Sequence, residues 1–134
     1  MASVRKIEGI GKVYADKLKE AGITTVESLL EAVATEKGRK ELAEKIGVST
    51  KQILEWANRA DLMRIKGVGE EFSDLLEAAG VDTVVELARR NADNLYQKLV
   101  EVNAEKKLVR RLPTRKQVQD WIEQAKELPR VITY

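Results

Sequence analysis

The sequence predicts an all-α fold in which two copies of one helical unit pack into a single compact domain. Three observations carry this. Apolar residues recur at helical spacing along nearly the whole chain, and no stretch alternates with strand period. One phrase occurs twice: Ile7-Glu8-Gly9-Ile10-Gly11 opens a segment ending Ala21-Gly22-Ile23-Thr24-Thr25-Val26, and Ile65-Lys66-Gly67-Val68-Gly69 opens one ending Ala79-Gly80-Val81-Asp82-Thr83-Val84. The copies lie 58 residues apart and share 10 of the 24 positions from Ile7 to Leu30. Helix start and stop signals then recur in the same order in both. The expected division is a first repeat at 1–60, a second at 61–128 carrying an insertion at 104–112, and an extended tail at 129–134.

Each predicted element has a local cause. Ser3 can cap a short helix ending before Gly9, and Gly11 starts a second that runs to Ala21, burying Val13 or Tyr14, Leu18 and Ala21. Gly22 is its left-handed stop. Thr25 is an N-cap for a third helix with Val26, Leu29, Leu30 and Val33 on one stripe. Thr35 begins a fourth, with Leu42 and Ile46 inward and Gly47 beyond its end. Ser49 and Gln52 read as a capping box for a fifth, bearing Ile53, Trp56 and Ala57. In the second copy, Leu62 to Lys66 is expected as a lead-in helix and Gly69 to Ala79 as the second helix. Thr83 with Glu86 forms the next capping box, and Asn91 or Asp93 caps the helix of Leu95, Leu99 and Val102. After Pro113, Thr114 and Gln117 repeat the Ser49 box, and Trp121 takes the place of Trp56. With a single Phe and three Tyr, aliphatic side chains must carry most of the core, and both Trp are expected where the copies share it.

Composition excludes several classes of function. Of 134 residues, 43% are apolar and 34% charged, the balance of a globular chain. No apolar run approaches the roughly 20 residues of a membrane span, and the N-terminus has no signal-peptide stretch. The absence of Cys and His removes disulfides, thiolate metal sites, the commonest general base and the commonest metal ligand. A cytoplasmic, non-redox protein with no metal and no membrane partner is expected. Catalysis is not: Glu70 and Glu71 are adjacent rather than convergent, and Gly9-Ile10-Gly11-Lys12 lacks the spacing of a nucleotide-binding loop and follows no strand. No small-molecule substrate is therefore expected.

Charge is informative through its distribution. The net value is only +2. Met1 to Arg59 holds 11 basic and 9 acidic residues, Ala60 to Asn103 holds 5 and 9, and Ala104 to Tyr134 holds 8 and 4. A basic cluster of Lys106, Lys107, Arg110, Arg111, Arg115 and Lys116 thus follows an acidic second repeat. Such a run is either a solvated helical face or a phosphate-binding patch.

The Gly-apolar-Gly turn offers a physical route to phosphate. Gly9 can take the positive φ that reverses the chain, Ile10 points inward, and Gly11 opens the next helix without a Cβ to block a partner. The first backbone N–H groups of that helix lack intrahelical acceptors, and the helix dipole adds roughly half a positive charge beside Lys12. The same turn is equally well explained as a tight connection between helices.

Gly9-Ile10-Gly11 with Ala15, Leu18, Ala21-Gly22-Ile23 and Thr25-Val26 resembles a helix-hairpin-helix motif. The form is similar to that in the C-terminal domain of the bacterial RNA polymerase α subunit and the N-terminal domain of archaeal and eukaryotic recombinases. Nearly the whole chain, including Trp56-Ala57-Asn58-Arg59-Ala60-Asp61-Leu62 and Leu128-Pro129-Arg130-Val131-Ile132-Thr133-Tyr134, resembles an uncharacterised bacterial family. That family is described only as a domain of unknown function with tandem helix-hairpin-helix elements. The resemblance implies an all-α fold of two tandem helix-hairpin-helix (SAM-like) repeats. It also implies non-sequence-specific contact with nucleic-acid phosphates, at Gly9, Gly11 and Lys12 in copy one and Gly67 and Gly69 in copy two. The one cofactor it allows is a monovalent cation on hairpin carbonyls. Copy two departs from the pattern, since Glu70 and Glu71 would face a phosphate with like charge.

Two partners follow as expectations. One is nucleic acid, held without base readout by Gly9, Gly11 and Lys12 and by the basic run Lys106, Lys107, Arg110, Arg111, Arg115 and Lys116. The other is a protein, met by the acidic second hairpin and by the apolar tail Val131 to Tyr134, which either joins a partner or packs on its own domain.

Overall fold

Side-chain caps open most of the helices. The structure, a computed structural model, describes residues 2–134, and these hold eight α-helices and one short 3-10 turn. They group into two compact units, Met1–Asp61 with Val131–Tyr134, and Leu62–Arg130.

In unit one, Ser3 Oγ accepts from the Arg5 N–H and opens the 3-10 turn Val4–Lys6. Helix α1 (Lys12–Glu20) follows the Gly9 turn. Its inward aromatic is Tyr14, four residues from buried Leu18 on the same face. Val13 lies one residue further round and is 67% exposed, so of the two expected candidates Tyr14 is the inward one. Helix α2 (Val26–Val33) opens on a full capping box: Thr25 Oγ1 accepts from the Ser28 N–H at 3.1 Å, and Ser28 Oγ accepts from the Thr25 N–H at 3.1 Å. The serine hydroxyl does here what Glu or Gln does in the usual pattern.

Helix α3 (Glu36–Ile46) is capped by Thr35 and ends at Gly47, φ 74°. Helix α4 (Thr50–Leu62) opens with Ser49 Oγ accepting from the Gln52 N–H. Buried along it are Ile53, Trp56, Ala57 and Ala60. The segment Val131–Tyr134 also belongs to unit one. Ile132 is buried, and the Thr133 N–H donates to the Ala34 carbonyl at 2.8 Å.

Unit two begins at the last residue of α4. The separate lead-in helix expected over Leu62 to Lys66 does not form. Asp61 lies inside α4, so no capping residue precedes the segment, and the Ile65 N–H instead closes a turn on the Leu62 carbonyl at 3.1 Å. Helix α5 (Glu70–Ala78) follows the Gly67 turn, and α6 (Val84–Ala88) is capped by Thr83. Here the Glu86 carboxylate accepts from Arg90 Nε at 3.0 Å. Helix α7 (Ala92–Lys106) is capped by Asn91 rather than Asp93. Helix α8 (Arg115–Glu127) opens on the full Thr114–Gln117 box. The core joins Leu62, Leu75, Leu76, Leu87, Leu99 and Trp121 with their neighbours, all from unit two.

Candidate functional site

The two Gly-apolar-Gly turns have the same backbone. Gly9 and Gly67 take φ of 93° and 95°, a region that L side chains rarely enter. Ile10 and Val68 N–H groups each donate to the carbonyl three residues back, at 3.1 Å in both turns. A β-carbon on Gly9 would stand 3.2 Å from Trp56 Nε1, and one on Gly67 would stand 3.1 Å from Trp121 Nε1. Each tryptophan also meets the aromatic of the helix after its turn, Tyr14 of α1 at 5.4 Å and Phe72 of α5 at 5.2 Å between ring centroids. Trp56 and Trp121 are therefore buried supports of their own glycine turns, with their faces committed to packing.

Helix starts discriminate between the two. Gly11 precedes α1 and Gly69 precedes α5, and neither helix has a side-chain cap. The first Ala15 and Ser73 N–H groups with intrahelical partners bond Gly11 and Gly69 carbonyls at 2.9 Å, so the N–H groups before them have no acceptor within the helix. A β-carbon at Gly11 or at Gly69 would meet nothing within 4 Å. The first turn of α1 contains no acid, and it presents exposed Lys12. In α5 the same turn contains Glu70 and Glu71, both exposed. Carboxylates there neutralise the positive end of the helix dipole, whereas Lys12 adds to it. Lys12 has no ion-pair partner among the described residues.

The remaining expected residues lie in unit two. Lys106 ends α7, and Lys107 follows in the left-handed region, φ 52°, with its N–H donating to the Asn103 carbonyl. Asn103 then clamps the next segment: its Nδ2 donates to the Val109 carbonyl at 3.1 Å and its Oδ1 accepts from the Val109 N–H at 3.0 Å. With Val109 buried, the exposed side chains of Lys107, Arg110 and Arg111 project from a loop of defined backbone. Lys116 is exposed in the first turn of α8. Lys106, Lys107, Arg110, Arg111 and Lys116 have no ion-pair partner among the described residues.

Arg115 differs from them. It pairs with Asp93 through a hydrogen bond from Nε to Oδ1. That hydrogen bond, reinforced by charge attraction, holds the Asp93 carboxyl below its ordinary range and the Arg115 guanidinium above its own. Five cations of the run are thus exposed and unpaired among the described residues, and the sixth is held in an ion pair. Gly9, Gly11 and Lys12 belong to unit one and the basic run to unit two.

Two residues that organise these surfaces were not expected from the sequence. Arg39, 5% exposed, donates to the Val33 and Ala34 carbonyls at 2.9 and 3.1 Å and to the Thr133 carbonyl at 2.6 Å. It caps the C-terminal end of α2, where a cation is favoured, and ties Val131–Tyr134 to unit one. Asn103 is the other. Both occupy positions on an apolar stripe, Arg39 before Leu42, Ala43 and Ile46, and Asn103 four residues after Leu99.

Among the described residues there is no cluster of acidic side chains that could hold a metal ion. No helix among them is long and apolar enough to cross a membrane. Comparison with curated proteins and with solved structures gave no match. The family described as Domain of unknown function (DUF4332) matches residues 8–128, and the chain belongs to that family.

Proposed function

We propose that the protein is a non-catalytic binding module of tandem helix-hairpin-helix type that grips nucleic-acid phosphates without reading sequence. One observation carries this. Among the described residues, α1 is the only α-helix whose N-terminus has neither a side-chain cap nor an acid in its first turn. Unmet N–H groups, the dipole and Lys12 favour an anion at that point. The loop Lys107 to Arg111 with Lys106 and Lys116 supplies a second contact in unit two. No helix presents a set of base-reading side chains, so phosphate contact without specificity is the expected mode.

The test is fluorescence anisotropy of a labelled 20-base-pair duplex and the matching single strand across salt. Binding should weaken steeply as salt rises, with a log–log slope near −0.9 per phosphate neutralised on duplex. Lys12→Glu and Arg110→Glu should each weaken it about tenfold at low salt. Absence of wild-type binding to either strand form at low salt would overturn the proposal.

A second function, docking a protein, is supported by the acidic start of α5, where Glu70 and Glu71 stand at positions that hold Lys12 and Val13 in α1. Glu70→Lys should abolish such a complex while leaving duplex binding at least as strong. Pull-downs that recover the same partners from the variant exclude it.

A further inference from the structure

Unit one contains a shallow cavity of about 340 Å³ that neither hairpin uses. It lies between the first turn of α3, the first turn of α4 and Tyr134. Its volume is at the lower end of the range for small-molecule sites. Three cations line it, Arg39, Lys40 and Lys51, against one acid, Glu36. The Glu36 carboxylate stays ionised: the hydrogen bond and charge of Lys40, at 2.9 Å, hold it below its ordinary range. The lining side chains therefore carry three positive charges against one negative. The first turn of α4 contains no acid that would offset it.

An apolar wall faces this charge. Leu54 and the ring of Tyr134 form it. Arg39 stands 5.7 Å from the centre of that ring, which holds one face of the tyrosine toward the buried guanidinium. Tyr134 is nevertheless 65% exposed, so the rest of the ring is open to a ligand. Arg39 has three hydrogen bonds to backbone carbonyls, which fix its guanidinium at the cavity wall. Lys51, exposed and without an ion-pair partner among the described residues, is the group free to meet an anion.

We propose that this cavity binds a phosphate monoester carrying an aromatic ring. The excess of cationic side chains favours the anion, Lys51 meets the phosphate, and the ligand ring stacks on Tyr134 beside Leu54. The site is independent of the α1 hairpin, and its test does not involve nucleic acid.

Phenyl phosphate is the probe, titrated into the full ¹⁵N-labelled chain at pH 7.5, with inorganic phosphate and phenol as separate arms. Phenyl phosphate should saturate, moving the amides of Thr50, Lys51, Leu54 and Tyr134, at least tenfold more tightly than either half-ligand. Lys51→Glu should weaken it at least tenfold, and Tyr134→Ala about fivefold, which is the order of one lost stacking contact. Both residues are exposed, so the rest of the spectrum should be unchanged. Non-saturating shifts, equal response to inorganic phosphate, or undiminished binding in both variants overturns the proposal.

Discussion

The Gly9 and Gly67 turns have the same shape and opposite charge, and the pair separates what folding requires from what binding would require. Each glycine lies at φ near 95°, over the indole of a buried tryptophan, with an aromatic from the next helix against that indole. Nothing in this arrangement involves a ligand. Glycine at the turn is accounted for in both units by backbone conformation and close packing, so its presence is no evidence of phosphate contact. The evidence lies in the next residues, Lys12 against Glu70 and Val13 against Glu71, where packing makes no demand because the side chains are exposed. The units also close differently. Unit one is tied by Arg39 to Val131–Tyr134, and unit two clamps its own loop through Asn103.

The largest effect should come from the closure that only unit one has. Arg39→Met removes three charge-assisted hydrogen bonds and leaves the Val33 carbonyl buried without its donor. A loss of about 2–4 kcal/mol in urea unfolding is expected, with the first amide signals to broaden in unit one. Asn103→Ala, the counterpart in unit two, should cost about 1–2 kcal/mol, since its bonds are neutral. A smaller loss for the arginine than for the asparagine would show that the closing segment contributes little to unit one.

Next in size are Gly9→Ala and Gly67→Ala. Each forces an L residue to φ near 95° and places a β-carbon 3.1–3.2 Å from an indole nitrogen. About 1–3 kcal/mol should be lost in either case. The two losses should agree within about 0.5 kcal/mol, the scatter expected of equivalent sites. A clear difference in chemical denaturation would mean that one hairpin is held by something the other lacks.

Much of this comparison was legible in the sequence, for a physical reason. Helix starts depend on residues within three or four positions of each other, so Thr25, Thr35, Ser49, Thr83, Asn91 and Thr114 could be found without tertiary information. The reversal of charge from Lys12 to Glu70 was equally plain. What could not be read depends on contacts distant in the chain. Arg39 meets Thr133 across 94 residues, and Arg115 meets Asp93 across 22. No local capping signal singles out the first, and the second reads as one more member of the basic patch. Arg39 did leave a trace, a charged residue on the apolar stripe of Leu42 and Ile46. Such a position asks for buried acceptors, and helix-end carbonyls supply them. The missing lead-in helix has a local cause as well, because α4 reaches Leu62 before a new helix could be capped.

Binding gives the third test, and it exchanges the two hairpins. Glu70→Lys with Glu71→Val should bring α5 to the charge state of α1 and strengthen duplex binding about tenfold at low salt. Lys12→Glu should weaken it by a similar factor. Both residues in α5 are exposed, so stability should change by no more than about 0.5 kcal/mol. Anisotropy on the variants at 50 mM salt reads the result. If the converted hairpin gains nothing, an uncapped, cationic helix start is not sufficient for phosphate contact in this fold.

The smallest effect concerns the cation that unit two withholds. Asp93→Asn should release Arg115 to the basic run and steepen the salt dependence of duplex binding by about one phosphate, a slope change near −0.9. Affinity should rise only a few-fold, because Arg115 is one charge beside five that are already open. The pH dependence follows from the depressed Asp93 carboxyl. Because its folded value lies below the ordinary one, the pair's contribution to stability is complete above the ordinary Asp range, about pH 4. It disappears as pH falls through the folded value, and Arg115 becomes free there. Wild type and Asp93→Asn should therefore differ in duplex binding at neutral pH and converge on acidification. Parallel binding curves through the acid range would show that Arg115 contacts phosphate while still paired. The basic run would then have six working cations rather than five.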